Sequence, residues 1–276
     1  MRVAALAAAI ISIGAGSATV HAGDGVLGRY DFHEPAGRWR LPKALAEVSG
    51  LAVEGPHLLA HGDEQAIIYE LDPAADSVVG RFSLGQPAVR GDFEAITLVD
   101  GLVALTTSNG VLYLARRGAN GEAVPYRRYV TGIGESCEVE GLAYDRPERE
   151  FLFACKTPRV KAVEGHLAVF GWSPERTGPP VLRLRISTAE IGDHGNEPVH
   201  PSELWRDDVT GHLLLLAARA RVIIEVSRDG RVVSVAKLRR SLHRQAEGLA
   251  IGADGSLFVS DEAAGEYPTL TRYDRH

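Results

Sequence analysis

The chain has 276 residues, 30 basic and 36 acidic side chains, a formal net charge of −6 and 45% hydrophobic residues. This mildly acidic, ordinary globular composition gives no electrostatic reason for nucleic acid or an anionic lipid surface as a partner, and neither is expected. The length suits one or two domains, and a repeat running from residue 49 to the C-terminus decides for one.

Residues 1–22 have the form of a secretory signal peptide. Arg2 supplies the positive start, Val3 to Ile13 the apolar stretch, and Val20-His21-Ala22 a small-x-small cleavage site ahead of Gly23. The apolar stretch is short for a membrane span, and no later segment is long and apolar enough to be one. The expectation is a periplasmic or secreted protein, cleaved near Ala22. Residues 23–276 would fold as one domain without a transmembrane segment.

From residue 49 a short phrase returns five times. It reads Ser49-Gly50-Leu51-Ala52-Val53, Glu94-Ala95-Ile96-Thr97-Leu98, Glu140-Gly141-Leu142-Ala143-Tyr144, Ser202-Glu203-Leu204-Trp205 and Glu247-Gly248-Leu249-Ala250-Ile251. Three intervals are about 45 residues and one about 62, and a period in the forties with several short strands per unit marks a β-propeller blade. Apolar runs and turn residues divide the units. The first reads Gly50–Val53, Leu58–Ala60, Ala66–Leu71 and, after an Asp72-Pro73 turn, Val78–Leu84. The second reads Leu102–Thr106, Val111–Ala115 and Tyr126–Val130, with Asn109-Gly110 and Asn120-Gly121 turns between them. The surplus of the third unit lies between Lys156 and His200. It holds Pro158, Pro174, Gly178-Pro179-Pro180 and Gly192-Asp193-His194-Gly195-Asn196, so extended loops rather than another blade are expected. The fourth gives Leu213–Ala218, Val222–Val226, an Asp229-Gly230 turn and Val232–Leu238. The fifth is too short for four strands. Arg38–Leu41 or Leu27–Phe32 would supply the missing one and close the ring. No stretch has a long 3.6-residue apolar period, so almost no helix is expected. The expected fold is all-β: a single β-propeller of five four-stranded blades closed by an N-terminal strand.

In a propeller the first strand of each blade lines the axis. The phrase openings Ser49, Glu94, Glu140, Ser202 and Glu247 should therefore ring one mouth of the channel, with Glu47 beside Ser49. Second-strand ends add His61, Asp63 and Glu64, Ser108 and Asn109, Lys156, Arg219 and Arg221, and Asp261 and Glu262. Carboxylates around a narrow axis repel: a pair at about 4 Å and an effective dielectric of about 20 costs on the order of 4 kcal/mol. Protonation, the nearby Lys and Arg, or a bound cation must relieve this. An oxygen-only set suits Ca2+, which accepts about 6–8 oxygens in flexible geometry; Mg2+ is second because it demands a tighter octahedron. Glu47, Glu94, Glu140 and Glu247 are the candidate metal ligands, and Asp63, Asp261 and Glu262 are further candidates at the mouth. The same glutamates could instead bond a neighbouring blade's backbone or pair with Lys156 or Arg219. Glu203 falls one position late in its phrase and is expected to turn into its blade.

Cys137 precedes the third phrase and Cys155 ends the strand that follows. In an oxidising compartment a Cys137–Cys155 disulfide is expected, worth roughly 3 kcal/mol in the chain-entropy model. His194 and His200 flank Asn196 and Glu197 and read as exposed loop residues. No Gly-x-Ser-x-Gly elbow or zincin motif occurs in residues 23–276, and spacing assigns no Ser/His/Asp triad.

Glu47-Val48-Ser49-Gly50-Leu51, Phe93-Glu94-Ala95-Ile96, the run from Cys137 to Asp145 and that from Gln245 to Ala250 together resemble the SdiA-regulated family of bacterial exported proteins. The resemblance covers the chain from about Leu41 to its end. It implies a five-bladed propeller with bound calcium and no established catalytic activity. Ala95 and Glu203 stand where most units of the family phrase carry Gly. Two functional classes follow. One is a monomeric binding or scaffold module with Ca2+ near its axis, presenting loops to a protein or small-molecule ligand. The other is a metal-dependent hydrolase of phosphoesters or lactones, in which the axial cation polarises the substrate and Asp261 or Asp63 is the general base. The lack of a dense Asp-rich loop system favours the first.

Overall fold

The computed structural model describes residues 25–191 and 197–276. The expected signal peptide and His194 with its loop neighbours lie outside them. Each repeat folds into an antiparallel sheet, because its β-branched and aromatic runs are broken at short intervals by Gly, Asp and Pro turns. Blade one comprises Val48–Glu54, His57–Gly62, Ile67–Asp72 and Ser77–Leu84, and a short fifth strand from the second repeat, Ala123–Val124, pairs in parallel with its outer edge. Blade two comprises Phe93–Val99, Leu102–Thr107, Val111–Arg116 and Tyr126–Val130. Blade three is Cys137–Asp145, Glu150–Pro158, His166–Trp172 and Val181–Ser187; blade four is Glu203–Arg206, Leu213–Ala217, Val222–Val226 and Val232–Lys237. Blade five has Ala246–Ile251, Leu257–Asp261 and Thr269–Tyr273, completed by Gly37–Arg40 from the N-terminal side. The protein is thus an all-β, five-bladed propeller, as the period predicts. Among the described residues helix is confined to short 3-10 turns, and the long third unit forms no further sheet.

The ring closes where the blade count requires it. Gly37–Arg40 runs antiparallel to Thr269–Tyr273, with Gly37 opposite Arg272 and Arg40 opposite Thr269. The other candidate segment is used as well. The Val26 and Leu27 amides donate to the Glu225 carboxylate at 2.8 and 3.1 Å, and Tyr30 bridges to Arg275. Glu225 also receives His212 Nδ1 at 2.7 Å and the Ser234 hydroxyl at 2.9 Å, so a fully buried carboxylate clamps the N-terminal segment onto blade four.

The core is divided into five apolar clusters, one between each pair of neighbouring blades. Phe82 and Phe93 meet between blades one and two, Leu112 and Phe153 between two and three, and Val169 and Ile224 between three and four. Leu214 and Val259 meet between four and five, and Leu58 and Phe258 between five and one. Burying each such side chain contributes roughly 1.5–3 kcal/mol. Cys137 and Cys155 lie in the cluster between blades two and three, as buried thiols with their sulfurs 2.5 Å apart.

A polar clasp reinforces the closing blade. His243 Nδ1 donates to Asp261 Oδ2 at 2.8 Å, which leaves Nε2 to accept the Tyr273 hydroxyl at 2.7 Å. All three side chains are buried, and Tyr273 packs against Phe32 with ring centroids 5.1 Å apart. Asp261, expected at the channel mouth, has its carboxylate committed to this clasp. His243→Ala should lower the free energy of urea unfolding by roughly 3 kcal/mol, because it leaves a buried carboxylate without its partner. Arg244→Ala, next to it but in an exposed pair with Glu266, should change stability by less than about 1 kcal/mol. Equal effects of the two variants would refute the clasp.

Candidate site at the acidic channel mouth

Four of the five inner strands carry the same irregularity at the opening of the phrase. Val48 pairs with Gly62 and Gly50 with His61, leaving Ser49 extra; Glu94 and Glu247 are likewise extra between Phe93 and Ala95 and between Ala246 and Gly248. The register of blade three breaks between Val139 and Leu142, around Glu140. In blade four the Ser202 amide donates to Leu216, which also faces Glu203. A two-against-one bulge re-aims a side chain out of the strand's alternation. Its repetition turns residues of the phrase out of the blades and into the channel mouth.

The three phrase glutamates interact across blades. Glu140 and Glu247 are buried and Glu94 is half-buried. Burial first, then the charges of Glu140 and Asp92, push Glu94 up to about 8. Burial, with Glu140 and Glu262 adding to it, holds Glu247 well above the usual carboxylate range. Glu262 is raised to about 7 by burial, then by Asp63 and Glu47, and its carboxylate accepts from Gln245 Nε2. Burial also raises Glu140, against the pull of Lys156, whose Nζ donates to it at 2.8 Å and lies 3.9 Å from Glu138. Desolvation opposes the Lys156 ammonium, but its bond to Glu140 and the surrounding carboxylates outweigh it and the pKa rises. Glu47 is exposed at the rim and raised by Asp63, to which it is hydrogen-bonded. A cavity of about 300 Å3 opens beside Glu140, Lys156, Ser202 and Glu247. Among the described residues no group of three or more His, Cys, Asp or Glu side chains is gathered to hold a metal ion as they stand.

Immediately inside the mouth the five inner strands crowd together. A Cβ on Gly50 would lie 3.2 Å from Ile96 N, and one on Gly141 would lie 2.8 Å from Leu204 N. One on Gly248 would lie 3.2 Å from the Gly50 carbonyl carbon. Ala95 holds the equivalent place in blade two, and Glu203 holds it in blade four. Glu203 does not turn into its blade, as its late position suggests. Its Oε1 accepts the Leu204 amide at 2.9 Å and the Leu142 amide at 3.5 Å, and the Leu51 amide also bonds it. Amides from blades one, three and four reach a single carboxyl only near the axis. Burial holds Glu203 well above the usual carboxylate range, and its Oε2 has no hydrogen-bond partner. His61 Nε2, which a Cβ on Gly50 would approach to 2.9 Å, and Ser260 Oγ beside Gly248 are buried and unpartnered too.

The remaining candidates divide. Ser49 and Ser202 donate to the backbone of Glu47 and Ala246 rather than to channel groups. Asn109 accepts the Thr107 hydroxyl within its turn, and Glu64 and Arg219 are exposed. His200 joins the site through Nδ1, which donates to the Lys156 carbonyl at 2.6 Å. Asp92 and Glu138 are mouth residues that the phrase alone misses. The signal was available, because Glu47, Asp92, Glu138, His200 and Gln245 all sit two places before a phrase opening.

A family model described as SdiA-regulated matches residues 40–267. Among solved structures, a glutaminyl cyclase from Myxococcus xanthus superposes with a TM-score of 0.58 at 15% identity, covering 87% of this chain and 95% of that one. A luciferin-regenerating enzyme gives 0.54 at 8% identity, with 87% and 95% covered. Regucalcin, a calcium-binding protein from Agrobacterium tumefaciens, gives 0.50 at 12%, with 88% and 96% covered. At these identities the likeness is one of fold.

The shifted carboxyls set a pH dependence of definite sign. A carboxyl raised in the folded state binds more protons there than when unfolded, so stability is full below about 4.5 and declines as pH rises through the folded value. In EDTA the protein should therefore be less stable to urea at pH 8 than at pH 5.5, across the window set by Glu262 near 7 and Glu94 near 8. Glu94→Gln should reduce that loss. Glu225 and Glu70, whose pKa values are lowered, act only below this window. A wild-type stability that rises toward pH 8 would contradict the assignment.

Proposed function

The chain belongs to the SdiA-regulated family, and from that premise we propose that it is an exported binding module whose acidic channel mouth takes up a hard divalent cation, Ca2+ ahead of Mg2+. One observation carries the reading. Glu94, Glu140, Glu247 and Glu262 share a mouth in which Lys156 is the opposing charge and burial raises the pKa of every carboxyl. Such a cluster is relieved by a cation that replaces several protons at once. Glu94, Glu140 and Glu247 would hold the ion from three blades, with Glu47 at the rim, after turning inward from their present positions. The donor set is oxygen-only, as Ca2+ prefers, and the unpartnered Glu203 Oε2 adds a further oxygen beneath it. The bound ion would supply fixed positive charge at the mouth, where loops of all five blades present a ligand surface.

The hydrolytic alternative needs a carboxylate free to act as a base. Asp261 is committed to His243, and Asp63 is hydrogen-bonded to Glu47. Binding is therefore the reading we adopt. Export places Cys137 and Cys155 in an oxidising compartment, where their 2.5 Å separation favours closure to a disulfide.

Two measurements test these statements. In thermal unfolding after EDTA treatment, Ca2+ added at about 100 times its Kd should contribute about 2.7 kcal/mol. For a chain of this size that raises the Tm by roughly 5–10 °C. Glu140→Gln with Glu247→Gln should abolish the response. No shift with Ca2+ or Mg2+ would remove the metal and leave Lys156 as the resident counter-ion. The intact mass of the exported, non-reduced protein should be lighter than the dithiol by two hydrogens, and two titratable thiols after denaturation would exclude the disulfide.

A further inference from the structure

The opposite end of the channel opens into a cavity of about 470 Å3 that shares no residue with the acidic mouth. Its floor is apolar. Leu51, Ile96, Leu142 and Leu204 line it, and the amides of three of these hold Glu203. Tyr144 and Trp205, both half-buried, give it an aromatic wall.

The charged groups at the rim are unevenly paired. Arg206 is buried between Asp145 at 3.1 Å and Asp208 at 2.8 Å, and Arg146 pairs with Asp100 at 2.5 Å. Asp207 accepts the Thr210 amide at 2.8 Å and its hydroxyl at 2.5 Å; Asp254 accepts the Ser256 amide and hydroxyl at 2.9 and 3.0 Å. These two carboxylates are held in place by neutral donors and keep their charge. Arg29 and Arg275 line the same cavity, and among the described residues neither has an ion-pair partner. The Tyr30–Arg275 bridge and the His276 amide, which donates to the Arg29 carbonyl at 3.1 Å, join the two backbone segments that carry these arginines.

We propose that this second mouth binds a small ligand that joins an aromatic or other apolar body to one anionic group. The body lies against Trp205 and Tyr144, and the anion meets Arg29 and Arg275. The volume falls within the range of about 300–1,000 Å3 usual for small-molecule sites, which combine apolar walls with a few convergent polar groups. Guanidinium forks suit a carboxylate or a similar planar anion.

Trp205 provides the reporter. Titrating the purified protein with 4-phenylbutyrate should give a saturable change in tryptophan emission, and its uncharged analogue 4-phenylbutanol should bind at least tenfold more weakly. Trp205→Phe should lose the emission change while retaining calorimetric binding. Arg29→Gln with Arg275→Gln should weaken the Kd at least tenfold at an unchanged Tm. The proposal is overturned by no saturable change up to about 10 mM ligand. It is equally overturned by equal affinity for acid and alcohol, by an emission change that survives Trp205→Phe, or by unaltered affinity in the arginine double variant.

Discussion

Five strand edges converge on one axis, and there is room there for backbone but scarcely for side chains. Gly50, Ala95, Gly141 and Gly248 meet that demand by having little or nothing beyond Cα, and at Gly141 the backbone also takes φ +127, a conformation that favours glycine. A single side chain can occupy the space left over, and Glu203 does so. Its carboxyl is held by amides of Leu51, Leu142 and Leu204, which belong to inner-strand edges with no fifth strand to pair with. Burying an amide without a partner costs about 1–3 kcal/mol, so the acid satisfies groups that a fifth glycine-like position would leave bare.

The bulges follow from the same crowding. Strands that pinch together at the glycine layer need an extra residue just before it to splay apart at the mouth, and in three blades that residue is glutamate. How the chain treats its other buried carboxylates gives these their meaning. Glu225 receives two amides, a histidine and a serine, and Glu150 receives Arg176 and Arg183 at 2.8 and 2.7 Å. This fold can therefore provide a buried carboxylate with full partners. At the mouth it provides Lys156 and leaves the remaining charge to be removed by protonation. Under-compensated carboxyls gathered from several elements characterise binding and catalytic sites more often than scaffolds.

The fold was legible because everything that defines it is local: strands bounded by turn residues, repeated at a fixed interval, with a deficit in the last unit that the segment near Trp39 fills. The mouth was legible in part, since a residue repeated once per blade must return to the same place around the ring. Two of the errors of expectation share a cause. Asp261 has the right chain position, but its carboxylate is captured by His243 and Tyr273, partners that no repeat links to it. Glu203 was read as out of phase along the strand. Its destination is set instead by how closely four other strands approach, which one dimension does not record. The tier at Glu47, Asp92, Glu138, His200 and Gln245 was hidden for a different reason, because its chemistry varies from blade to blade while its offset does not.

Glu203 also gives the channel two ends in place of a bore. The mouth on one side gathers carboxylates because bulged residues precede the glycine layer. The cavity on the other side is apolar because the residues that follow the layer, Leu51, Ile96, Leu142 and Leu204, must pack between blades. Its rim is set by turns and by the N- and C-terminal segments, where Arg29 and Arg275 meet. The different character of the two ends therefore needs no separate design. It arises from which side of one crowded layer a residue falls on, and the Glu203 carboxyl, held at the axis by three amides, stands between the two.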